Sequence, residues 1–118
     1  MKEFVWKHKK LTVIGFAILF FFCRNIIIHT FSTEKWEKYP ENRVDMVDDL
    51  LEKNELLGMT KQEVFLLLGQ PTENAYFKTE NNMVYYLGPE RGLIRIDSEW
   101  LVLEIQENRV SKVDICRD

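Results

Sequence analysis

Past His29 the chain has no histidine, and the two it does have, His8 and His29, flank or lie in a hydrophobic run. The rest of the protein therefore has no imidazole for a Cys-His or Ser-His-Asp site. Cysteine is nearly as scarce, with Cys23 in the hydrophobic run and Cys116 far downstream. Residues 32–118 thus form no disulfide scaffold, and without a CxxC they hold no thiolate metal or redox motif. Cys116, alone in an apolar-alternating stretch, reads as a small buried side chain. Gly-rich phosphate loops, HExxH and GxSxG are absent. Positive charge is also short here: from Ser32 onward 11 Lys and Arg face 18 Asp and Glu, a balance of −7. Such a segment gathers neither on nucleic acid nor on anionic lipid by charge alone. These absences predict a binding module rather than an enzyme. No nucleic-acid partner, cofactor, metal or small-molecule substrate is expected.

What is present begins with a basic stretch, residues 1–10, where Lys2, Lys7, Lys9 and Lys10 outweigh Glu3. Residues 11–31 follow as an apolar run interrupted by Arg24 and Asn25. Its length is near the ~20 residues that cross a bilayer, and an arginine near one interface can snorkel to the headgroups. A cleaved signal peptide needs small residues at its exit. Phe20, Phe21 and Phe22 stand there instead, just before Cys23, and they disfavour a lipidated cysteine as well. The expectation is an uncleaved signal anchor in the inner, cytoplasmic membrane. By the positive-inside rule, residues 1–10 lie in the cytoplasm and the rest outside it. Membrane contact through residues 11–31 and an unidentified protein partner are the partners expected.

Residues 32–42 are polar and contain Pro40, so they read as a linker. Residues 43–118 then form one small domain. Val44, Val47, Leu50 and Leu51 make a helical stripe. Asp45, Asp49 and Glu52 share another face of that helix; a solvated surface is the simpler reading, and a cation-binding or catalytic carboxylate cluster is the alternative. Next come Gly58, Met59 and Thr60, with Glu63 three residues past the threonine. That spacing predicts a capping box. Val64, Phe65, Leu67 and Leu68 supply the buried face of a short helix. Gly69 closes the helix at positive φ and Pro71 prevents its resumption.

Strand patterns fill the remainder. Residues 75–79 are a short candidate, residues 81–82 a turn, and residues 83–87 (MVYYL) a β-branched and aromatic strand. Leu93, Ile94 and Ile96 suggest another extended piece. Residues 100–105 and 110–116 flank a tight turn and predict a hairpin. Tyr85 and Tyr86 must face opposite ways, so one is buried and one presented. Tyr85, Tyr86, Arg91 and Trp100 are the candidate partner face.

The stretch Gly58-Met59-Thr60 through Glu63-Val64 to Leu67-Leu68-Gly69, Pro71 and Thr72, followed by Tyr85-Tyr86, resembles the small-protein-A/outer-membrane-lipoprotein-A (SmpA/OmlA, BamE-like) family. The resemblance covers residues 50–116. It implies two helices on a three-stranded sheet, with an extracytoplasmic accessory role in envelope assembly. The fold class expected is α+β: an N-terminal transmembrane helix, then two short helices packed on a three- to four-stranded antiparallel sheet.

Overall fold

The computed structural model describes residues 2–118, with side chains described from Thr12 onward. The chain divides into two compact units at Thr30/Phe31. The first unit is a single helix, α1 (Lys2–His29). The backbone of the basic stretch is therefore helical from Lys2, while its side chains and Met1 lie outside the described residues. At 1.5 Å per residue, α1 is about 42 Å long. Within it Thr12–His29 has a mean hydropathy of 1.9, and none of that window is buried. Apolar side chains such as Val13, Phe16, Leu19 and Ile27 are exposed around the helix. An all-round apolar helix that buries nothing has the composition and length of a membrane span.

The second unit is α+β. Helices α2 (Thr33–Lys38), α3 (Arg43–Lys53) and α4 (Lys61–Leu68) precede strands β1 (Asn82–Pro89), β2 (Ser98–Gln106) and β3 (Arg109–Arg117). The strands form an antiparallel meander in the order β1-β2-β3. Met83, Tyr85 and Leu87 of β1, Leu101 and Leu103 of β2 and Val110 of β3 share the core with helical residues. One sheet face is thus buried by alternation.

Residues 32–42 are not a linker. Ser32 caps α2, its side chain accepting from the Lys35 backbone N–H, and Pro40 opens a 3-10 turn over residues 40–42. Trp36 has no exposed surface. Its ring meets Phe31 at 5.8 Å and Tyr85 at 6.2 Å, and the Arg43 guanidinium lies over it at 4.8 Å. One tryptophan in a six-residue polar helix carries the whole burial, so no periodicity announces it. In α3 the stripe of Val44, Val47 and Leu50 is buried as the spacing predicts, and Met46 joins it.

Around α4 the capping chemistry is as expected in part. The Thr60 hydroxyl accepts from the Glu63 N–H at 3.2 Å, but the Glu63 carboxylate accepts from the Thr60 hydroxyl and not from its backbone N–H. Thr60→Ala should cost about 1 kcal/mol, read as a small drop in melting temperature. Gly69 ends the helix at φ 74°. Val64 and Leu68 are fully buried, while Leu67 is only partly buried and Phe65 is exposed. With eight residues, α4 is too short to bury a wide face, and only the i, i+4 pair points fully inward.

Two strand expectations fail. Residues 75–79 form turns: Asn74 sits at φ 53° and the Lys78 N–H donates to the Ala75 carbonyl at 3.2 Å. The Asn82 side chain then accepts from the Thr79 N–H at 2.9 Å and donates to the Phe77 carbonyl at 2.9 Å. Those local bonds satisfy the backbone without a sheet neighbour. Residues 91–97 form a loop with Gly92 at φ +129° and no strand partner. The sheet therefore has three strands.

Candidate interaction surface

The Gly58–Thr72 motif ties both edges of the sheet. At its start, the Gly58 N–H donates to the Val110 carbonyl and the Val110 N–H to the Met59 carbonyl, each at 2.8 Å. Arg109 adds a bond from its guanidinium to the Gly58 carbonyl at 2.8 Å. At its end, the Tyr85 hydroxyl donates to the Gly69 carbonyl at 2.8 Å. The Thr72 N–H donates to the Val84 carbonyl at 2.9 Å, and the Tyr86 N–H donates to the Thr72 hydroxyl at 2.8 Å. Gly58, Met59, Thr60, Glu63, Val64, Leu67, Leu68, Gly69 and Pro71 are thus architectural residues spanning from the β3 edge to the β1 edge.

These bonds fix which backbone groups remain free. Val84 directs its carbonyl away from β2, so Met83 and Tyr85 direct their polar groups toward it. Their partners on β2 are Leu103 and Leu101, which leaves Trp100, Val102 and Glu104 to bond β3. Those residues pair with Cys116, Asp114 and Lys112. Val113 and Ile115 therefore direct their N–H and carbonyl groups outward. The β3 edge is covered at Val110 by the Gly58-Met59 segment, and past the Ser111 bulge it is open among the described residues.

Beside that edge lies the second face of the sheet. Ala75, Val84 and Val102 form a small buried cluster there, with Phe77, Trp100 and Cys116 packed against it. Next to them is an open concavity of about 650 Å³, reached by Glu104, Glu107, Ser111, Asp114 and Cys116. Of its three carboxylates one is ion-paired, Asp114 with Lys112 at 3.2 Å. Burial, and then the Asp114 charge, push the Cys116 thiol up, so it stays protonated near neutral pH.

Of the residues expected to form a partner face, two do lie here. Tyr86 and Trp100 are cross-strand partners, half-buried, with rings 5.2 Å apart, and the Trp100 indole N–H donates to Asp118 at 3.2 Å. Tyr85 is on the opposite, core face with no exposed surface, and burial raises its phenol pKa. One of the two tyrosines is buried and the other partly presented, as alternation requires. Arg91 is also removed from the partner face. Its guanidinium donates to Glu99 at 3.0 Å and to Asp48 at 3.0 Å, and its backbone N–H to Glu99 at 3.0 Å. Nothing in the local sequence marks Arg91 for this role, because Asp48 is 43 residues away.

Glu99 itself is almost fully buried, at 1% exposure. Burial raises its pKa, but hydrogen bonds and charge from Arg91, with Arg117 at 3.6 Å, outweigh that and hold it below its ordinary 4.5. The folded state thus binds the Glu99 proton less readily than the unfolded state, so this stability is present above pH 4.5 and lost as pH falls through the folded pKa. Glu99→Gln should lower stability at neutral pH by about 1–3 kcal/mol. It should also flatten the acid limb of a denaturation profile taken against pH.

The acidic residues of α3 do not converge. Asp49 accepts from the Phe31 N–H at 2.7 Å and pairs with Lys53 at 3.0 Å. Among the described residues no three His, Cys, Asp or Glu side chains could hold a metal ion together. Asp45, Asp49 and Glu52 are thus not brought together as a metal site among the described residues.

The comparisons leave the surface to its own geometry: no protein-family model, no curated protein and no solved structure matches the chain.

Proposed function

We propose that this chain is a membrane-anchored, extracytoplasmic interaction module, which uses the open edge of β3 to capture an extended segment of a partner protein. The observation that carries this reading is the free edge at Val113 and Ile115, flanked by the second-face concavity. Such an edge supplies main-chain hydrogen bonds, and pockets beside it take alternate side chains of an added strand. The excess of carboxylates at Glu104, Glu107 and Asp114 favours a segment with basic side chains. The SmpA/OmlA (BamE-like) resemblance supports the same role, as an accessory of envelope assembly. The apolar window Thr12–His29 of α1 and the basic residues that precede it support a single inner-membrane span with the domain outside the cytoplasm.

Two experiments test this. A reporter active only outside the cytoplasm, fused after Asp118, should be active; activity of a cytoplasmic reporter in its place would reverse the topology. Val113→Pro removes an outward N–H and no ladder bond. It should cost about 1 kcal/mol of stability through the trimmed side chain, yet abolish capture. A variant that melts near the parent and binds as well would show that the edge is not used.

A further inference from the structure

The loop between β1 and β2 has a rigid base and an apolar tip. At the base the Glu90 N–H donates to the Asp97 carbonyl at 2.7 Å, and Arg91 is clamped by the buried Glu99 and by Asp48. Arg117 adds pairs with Glu99 and Glu90. Beyond this clamp, Leu93, Ile94 and Ile96 are each at least 68% exposed. Three aliphatic residues within four positions, held out by an ion-pair network, are costly to leave in water.

The loop base is also close to where the chain enters the folded unit. The Phe31 N–H is held by Asp49, and Arg91 is held by the adjacent Asp48. Phe31 is joined through Thr30 alone to the end of α1. If α1 spans a membrane, the folded unit is tethered to that bilayer by its first residue, and even weak insertion of a loop on the unit becomes effectively intramolecular.

We propose that residues 92–96 dip into the bilayer that holds α1, with Leu93, Ile94 and Ile96 in the acyl boundary and Arg95 reaching the lipid phosphates. Arg95 makes no ion pair among the described residues. A long side chain of this kind can lay its methylenes along lipid while its guanidinium stays at the headgroups. The acidic balance of the domain does little to oppose this, because Asp48, Glu90 and Glu99 at the loop base are paired with Arg91 or Arg117, and the charge of Arg95 offsets that of the exposed Asp97. Insertion would stand β1 and β2 away from the membrane, with the Glu80 end of the sheet a strand's length off, about 25 Å.

The inference rests on the reading of α1 as a span, and the test separates the two. The full chain, carrying Cys23→Ser and Cys116→Ser, is reconstituted in phosphatidylcholine vesicles. An environment-sensitive fluorophore is attached in turn at Ile18→Cys, Ile94→Cys and Glu80→Cys, and quenched with doxyl-labelled lipid. The expected result is blue-shifted, lipid-quenched emission at positions 18 and 94 and water-like emission at position 80. Quenching at 18 with position 94 behaving like 80 would overturn the loop insertion and leave the span intact. No quenching at 18 or 94 would overturn both. A blue shift at 94 without lipid quenching would mean that protein covers the loop, and equal quenching at 80 and 94 would mean unspecific adsorption; either overturns the proposal.

Discussion

Trp36→Ala should unfold a large fraction of molecules, at a cost of about 3–5 kcal/mol. Small domains have little stability to spare, so a loss of that size is a large part of the total. The indole has no exposed surface and packs between Phe31 and Tyr85 under the Arg43 guanidinium. Its removal opens a cavity at the junction of α2, α3 and β1. It also strips Arg43 of the ring it covers, although the Arg43 Nε still donates to the Trp36 carbonyl at 2.8 Å. Trp36→Phe separates shape from polarity. The indole N–H is buried with no hydrogen-bond partner among the described residues, so losing it forfeits no bond there. Phenylalanine should therefore recover most of the lost stability. Thermal melts of the three proteins rank them as parent, then Phe, then Ala. An alanine variant that melts with the parent would return residues 32–42 to the status of a linker.

The second large effect is expected at Gly88. Its φ is +136°, and a Cβ added there would come within 2.3 Å of the Glu41 carbonyl oxygen. Backbone strain of this kind costs about 1–3 kcal/mol, and pushing the 3-10 turn off β1 costs a similar 1–3 kcal/mol of overpacking. Gly88→Ala should therefore lose roughly 2–6 kcal/mol. Gly58→Ala is the control: φ is +85° there too, but nothing lies within 4 Å of the added Cβ. Only the strain should remain, and Gly58→Ala should melt above Gly88→Ala. The reverse order would mean that close approach of the 40–42 turn to β1 is not what requires glycine.

The elements legible in the sequence are those whose signals are local. The α4 helix carries its own start at Thr60 and stop at Gly69, and both act within a turn of the residues they cap. The β2–β3 hairpin shows alternation on both strands around Glu107 and Asn108, which take φ 53° and 65° as a tight hairpin turn requires. Where long-range contacts decide, the sequence misleads. Trp36 looks like a linker aromatic because Tyr85, its ring partner on the sheet, is 49 residues on. Residues 75–79 look like a strand because Tyr76 and Phe77 are aromatic, but Asn74 and Asn82 turn the chain there. Leu93, Ile94 and Ile96 look like an extended piece by composition, yet no neighbour among the described residues pairs with them. For the interaction surface, alternation requires Tyr85 and Tyr86 to face opposite ways, but which of them is buried follows from the sheet face that the helices cover. The open edge is not legible either, because which strand ends outermost depends on the order of the sheet.

The most direct test of the proposed capture is site-specific photocrosslinking in intact cells. A photoreactive amino acid is placed at Lys112 or Asp114 on β3 and, as a control, at Glu73, which is exposed on the far side of β1. The account predicts a discrete adduct from the β3 positions, none from Glu73, and loss of the adduct when Val113→Pro is added. Adducts from Glu73 equal to those from β3, or β3 adducts that survive Val113→Pro, would contradict it.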